Sequence, residues 1–104
     1  MNTFDDRKKS FEKKFVHDEE KIFKINAKRN KYLGEWVSEK LKKNDAEKDL
    51  YIQEVIKSDF SEPGDGDVFK KIKNDLELAG FNNIDNEIRN KMNELLDRAK
   101  KDLS

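Results

Sequence analysis

One histidine and one tryptophan stand in a chain that has no cysteine. Catalysis by His17 would need a hydrogen-bonding partner and a pocket. It sits instead among charged residues, and we read it as a solvated helical position. The stretch Glu62-Pro63-Gly64-Asp65-Gly66-Asp67 resembles a metal loop in composition. A calcium loop of the EF-hand type needs further oxygen ligands where Phe69 and Lys71 stand, so the stretch reads as a turn followed by a helix start, and no metal is expected. No Walker-type or dinucleotide glycine motif is present, which excludes phosphate sites of those classes. The remaining cluster with binding chemistry is Lys28, Arg29 and Lys31, with Tyr32 and Trp36 close by. A basic-aromatic patch of this kind suits a nucleotide phosphate or a nucleic acid. For each residue singly, the plainer reading is a solvated cation or a core tryptophan.

The 104 residues bound these readings: 44% are charged, 34% are hydrophobic, and the formal net charge is zero. Neutrality argues against broad nucleic-acid binding. The apolar residues are large, including seven Phe, and recur at helical spacing, so one small domain with a thin core is expected. The lack of cysteine rules out disulfides and fits a reducing compartment. The N-terminus is charged where a secretory signal needs an apolar run, and no segment approaches the ~20 apolar residues of a membrane span. A cytoplasmic protein without direct membrane insertion is the expectation. The halves differ in charge. Residues 1–43 hold 13 Lys/Arg against 8 Asp/Glu, a net of +5; residues 44–104 hold 10 against 15, a net of −5. The pattern suggests a basic arm on an acidic body.

Four helices would carry these residues. Helix one opens at Thr3, with Asp6 three residues on, and meets no strong breaker until about Lys43-Asn44. Gly34 is tolerated inside it at roughly 1 kcal/mol. At 100° per residue, Phe4, Phe11, Phe15, Ile22, Ile25, Leu33 and Trp36 fall in an arc of about 80°, interrupted by Asp18 and Arg29. A helix over residues 4–43 is roughly 60 Å long, too long for the later helices to cover. Helix two starts at the N-cap Asn44, with Glu47 completing a capping box, and carries Leu50, Tyr51, Ile52, Val55 and Ile56 toward Phe60. After the turn at 61–66, helix three starts around Asp65 or Asp67, uses Val68, Phe69, Ile72, Leu76 and Ala79, and stops at Gly80. Helix four starts near Asp85 and uses Ile88, Met92, Leu95, Leu96 and Ala99. An all-α four-helix bundle is expected, with helices two to four packed around Leu33, Trp36, Val37 and Leu41. The first part of helix one is left with an apolar stripe that has no assigned partner: it either projects or is mobile, and it folds back, frays, or binds another protein, for which the spacing suits helix-in-groove binding. This divides the chain into a basic segment, residues 1–25, and a bundle body, residues 26–104.

Several stretches together carry a family resemblance: Thr3-Phe4-Asp5-Asp6-Arg7; Phe11-Glu12 with Lys14-Phe15; His17-Asp18-Glu19-Glu20; Phe23-Lys24; Arg29-Asn30-Lys31; Leu33-Gly34 with Trp36 and Glu39-Lys40-Leu41; Asp59-Phe60 with Glu62-Pro63-Gly64-Asp65; and Ile88-Arg89 with Lys91-Met92. In order and spacing the chain resembles the zeta-subunit family of alphaproteobacterial F-type ATP synthase, inhibitors of ATP hydrolysis, over nearly its whole length. It departs from the family's pattern at Glu35 and Ser38, where apolar or small residues are usual, and at Lys42, where Gly is usual. The resemblance implies a non-enzymatic four-helix bundle whose N-terminal segment enters a catalytic alpha/beta interface and blocks rotation in the hydrolytic direction. Phe4, Phe11 and Phe15 would be the anchors, and Arg7, Lys14 and His17 the polar contacts. Catalytic alpha/beta and central-stalk subunits would be the partners, with the protein peripheral to the inner membrane when bound and a monomer when free. The resemblance also implies an adenine-nucleotide site. No cofactor is required; ADP or ATP would be a regulatory ligand, held by Arg29, Asn30, Lys31 and Trp36 from the basic-aromatic patch. Two rivals stay beside the inhibitor reading: a nucleotide-sensing module with weak or no inhibitory activity, and a structural adaptor or weak nucleic-acid binder using the basic arm.

Overall fold

Local chemistry sets each helix end. The computed structural model describes the backbone of residues 3–60 and 64–103 and the side chains of residues 19–60 and 64–103. Its four helices are α1 (Thr3–Lys40), α2 (Asp45–Ser58), α3 (Gly66–Leu78) and α4 (Asp85–Asp102). No strand occurs among the described residues. At the start of α2 the Asn44 side chain accepts from the Glu47 amide at 2.8 Å, and the Asn44 amide donates to the Glu47 carboxylate at 3.2 Å. The expected capping box is therefore complete. At the end of α3, Gly80 takes φ +97°, its amide donates to Glu77, and the Phe81 amide donates to Leu76. That pair of bonds is a Schellman closure, which needs a left-handed residue at the glycine position.

The end of α1 differs from expectation. The helix stops at Lys40 rather than running to Lys43. Lys42 adopts φ +56°, its amide donates to Glu39 at 3.2 Å, and the Lys43 amide donates to Ser38 at 3.0 Å. This is the same closure as at Gly80, made by a lysine where glycine is favoured. The opening cap of α1, at Thr3 and Asp6, lies outside the described side chains.

The bundle forms as α1 runs between α2 and α4, while α3 bridges α2 and α4 and touches α1 least. Leu33 and Val37 of α1, Val55 of α2, Val68, Ile72 and Leu76 of α3, and Ile88 and Ala99 of α4 are sealed from solvent. Trp36, Leu41, Phe69 and Leu96 pack against that core while half-buried. Leu50 and Ala79, counted among the apolar faces of their helices, are instead exposed. Neighbours in a helix point about 100° apart, and the buried direction in α2 belongs to Tyr51, next to Leu50; Ala79 lies past the last residue of α3, as its C-cap.

Ile22 belongs to the apolar stripe of α1 and is 57% exposed, in line with a first part of α1 that the body does not cover, and every described side chain from Glu19 to Lys24 is exposed. Burial begins at Ile25. Length gives the reason. At 1.5 Å per residue the 38 residues of α1 span about 57 Å, while the 18 residues of α4, the longest partner, span about 27 Å.

Candidate functional site

Arg29 interrupts an apolar stripe, so its side chain must point toward the body. It does, and it is only 4% exposed. A buried guanidinium needs acceptors. Its Nε donates to the Asn30 side-chain oxygen at 3.0 Å. Its terminal nitrogens lie 3.7 Å from Asp59 Oδ2 and 4.0 Å from Asp65 Oδ2. The Asn30 side-chain Nδ2 donates to Asp59 Oδ2 at 3.0 Å, so Asn30 relays between the cation and one of its anions. Burial pulls the Arg29 pKa below its ordinary value, the charges of Asp59 and Asp65 pull it back up, and Arg89 lowers it. Arginine keeps its proton regardless, so the site holds a fixed, charged cation.

The two carboxylates come from the ends of two helices. Asp59 is the C-cap of α2, where a negative charge opposes the helix dipole. Its position is explained by Arg29 and Asn30 rather than by helix stability. Asp65 is the N-cap of α3 but makes no side-chain cap bond. Its oxygens face arginines instead: Arg89 Nη1 of α4 donates to Oδ1 at 3.0 Å. The Arg89 guanidinium also lies 4.2 Å from the centre of the Phe69 ring. Residues from all four helices thus meet in one polar network.

Beside this network is a cleft of about 480 Å³, lined in part by Phe23, Ala27, Arg29, Asn30, Ile56, Asp59, Phe60 and Asp65. That volume suits a small molecule. Phe23 and Phe60 form one of its walls, stacked with ring centres 5.9 Å apart and planes 4° apart.

Of the four residues assigned to a nucleotide from sequence, Arg29 and Asn30 line this cleft. Lys31 is exposed and not in the lining. Trp36 stands about two turns further along α1, half-buried, with Lys40 and Lys91 5.1 and 5.8 Å from its ring centre. Tyr32 turns to α4: its hydroxyl donates to Asp102, and Arg98 and Lys28 lie over its ring. The basic-aromatic patch therefore divides between two sides of α1. Phe4, Arg7, Phe11, Lys14, Phe15 and His17 lie outside the described side chains. Sequence reasoning missed Asp59, Phe60, Asp65 and Arg89 as partners of this site. The available signal was Arg29 itself, since a charge on a core-facing stripe demands acids, and the α2–α3 turn supplies them.

No helix among the described residues is long and apolar enough to cross a membrane. Comparison with curated proteins finds no match. The family model described as ATPase inhibitor subunit zeta matches residues 1–102, which takes in the network, the cleft and the whole of α1. With that match spanning nearly every residue, the chain belongs to the ATPase inhibitor subunit zeta family.

Proposed function

We propose that this protein inhibits ATP hydrolysis by F-type ATP synthase by inserting the N-terminal part of α1 at a catalytic alpha/beta interface, so that rotation in the hydrolytic direction is blocked. Membership of an inhibitor family supports a regulatory rather than catalytic role. One structural observation carries the insertion mechanism: α1 is about twice as long as any helix available to cover it, and its side chains are exposed from Glu19 to Lys24. The sequence continues the apolar stripe upstream through Phe15, Phe11 and Phe4. Such a helix is built to lay its apolar face in another protein's groove. Each Phe buried there supplies roughly 1.5–3 kcal/mol before ordering costs. Arg7, Lys14 and His17 are the proposed polar contacts, with catalytic and central-stalk subunits as partners. The functional division falls between residues 25 and 26, with the free chain a cytoplasmic monomer. ATPase assays on the cognate enzyme test this. Full-length protein is expected to suppress hydrolysis and a version lacking residues 1–19 to lose that effect; equal behaviour of the two sinks the mechanism.

A second reading, adenine-nucleotide sensing, draws support from the cleft beside Arg29 and Asn30. Its size and its Phe23 and Phe60 faces suit a base. Arg29 is already engaged by Asp59 and Asp65, so phosphates would have to compete with two carboxylates. Lys31 and Trp36 remain outer candidates for ADP or ATP. Titration with either nucleotide, followed by Trp36 fluorescence and backbone amide shifts, decides this reading. Shifts at Arg29 and Asn30 support it, and none at millimolar nucleotide removes it.

A further inference from the structure

The arm must leave the body in a defined direction to act as a wedge, and the structure offers a device for that. Upstream of Ile25 every described side chain is exposed, and there Phe60, just past the end of α2, lays its ring flat against Phe23. Phe23 and Ile25 are two residues apart and point about 200° apart around the helix. Ile25 is buried in the bundle, so the stack holds α1 on a side that Ile25 does not. The preceding residue, Asp59, grips the same helix further along through Asn30 and Arg29. Asp59 and Phe60 thus hold α1 at two points about two turns apart. Leverage makes the outermost hold matter. From residue 23 to residue 4 is roughly 29 Å of helix, so a change of about 10° at the stack moves the far end by about 5 Å. Both rings remain more than half exposed, 57% for Phe23 and 61% for Phe60. The pair therefore adds little to the core, and its geometry is better matched to orientation than to stability.

We propose that Phe60 is a positioning residue for inhibition: its stack on Phe23 clamps α1 where it leaves the bundle and pre-sets the direction and helicity of the arm. This rests on the inhibitory reading above, and its test separates the two. Full-length wild type, Phe60→Ala and Phe60→Tyr are compared in two measurements: amide hydrogen exchange, and inhibition of ATP hydrolysis by the cognate enzyme. In Phe60→Ala, amides of residues 20–24 are expected to exchange faster while those of Leu33, Val55 and Ile88 stay as in wild type. The half-inhibiting concentration is expected to rise about two- to tenfold, the span one aromatic pair supplies. Phe60→Tyr, which keeps the ring, should restore both. Unchanged exchange at residues 20–24, an unchanged half-inhibiting concentration, or equal acceleration at Leu33 and Val55 each overturns the clamp. If wild type does not inhibit, the regulatory reading fails by itself, and the exchange pattern alone then supports or overturns the clamp.

Discussion

The Cα of Ile52 lies 2.9 Å from the point where a Cβ on residue 34 would stand, and its Cγ1 lies 3.0 Å from that point. Gly34 is therefore a place where α1 and α2 approach too closely for a side chain on residue 34. Helix propensity alone makes Gly34 a defect of about 1 kcal/mol that alanine would repair. The close approach reverses that sign, because the obstructing atom is backbone and moves only with its helix. Gly34→Ala is expected to destabilise by about 1–3 kcal/mol, the usual range for overpacking. Gly66→Ala is the control: a Cβ there meets nothing within 4 Å, so it should be neutral or stabilise by up to about 1 kcal/mol. Urea unfolding of both variants checks this, and a more stable Gly34→Ala would mean that the helices do not approach so closely there.

Lys42 holds the left-handed position at the end of α1 with a side chain, at φ +56°. That conformation disfavours an L-residue by roughly 1–2 kcal/mol relative to glycine, and glycine gives part of this back through unfolded-chain entropy. Lys42 is exposed, so its side chain leaves no hole when removed. Lys42→Gly is expected to stabilise the bundle by about 0.5–1 kcal/mol. Gly80→Ala, at φ +97°, should do the opposite. Paired thermal melts give the answer, and a lower melting temperature for Lys42→Gly would contradict it.

The network at Arg29 predicts an asymmetry between its partners. Asp59→Ala removes the nearer counter-charge of a guanidinium that is 4% exposed, leaving Asp65 at 4.0 Å. Stranding a buried charge typically costs about 3–5 kcal/mol. Arg29→Met removes the charge itself and keeps much of the side-chain volume, while Asp59 retains its bond from Asn30. It should cost distinctly less, by about 1–2 kcal/mol. Denaturant unfolding at neutral pH distinguishes them; equal losses would show that Arg29 is not held as a buried cation.

Arg29 also shows where sequence reasoning stopped. The capping box at Asn44 and Glu47, the glycine closure at Gly80 and the apolar spacing of α3 and α4 are local patterns, and the fold follows from them. The stripe that contains Leu33 was equally readable, down to its interruption at Arg29. What that interruption meant depended on Asp59 and Asp65, about thirty residues away, and no local pattern announces such a pairing. Arg29 therefore looked like a ligand contact, when its described partners are the protein's own carboxylates. Tyr32 was misplaced for the same reason, since its acceptor, Asp102, is seventy residues on. The turn at Lys42 was blurred because a lysine occupies a position that glycine usually marks.

Two tyrosines predict the alkaline limit of stability. The Tyr51 hydroxyl donates to Asp75 Oδ2 at 2.7 Å, and Lys71 donates to the same oxygen at 3.2 Å. Burial first, then the hydrogen bond and charge of Asp75, push the Tyr51 phenol far above its ordinary value. Tyr32 is also raised, chiefly by its hydrogen bond to Asp102. A raised phenol keeps its proton in the fold after the unfolded chain has released it, near pH 10. Above that pH the native state binds more protons than the unfolded state, so stability falls as pH rises. The contribution is complete below about pH 10 and is lost as pH climbs through the folded values. Tyr51→Phe is expected to be less stable at pH 7 by about 1 kcal/mol, through the lost hydrogen bond, yet to decline less steeply above pH 10. Unfolding free energies measured from pH 8 to about pH 11.5 should therefore converge for the two proteins. Parallel declines would show that the Tyr51 proton is no more tightly held in the fold than in the unfolded chain.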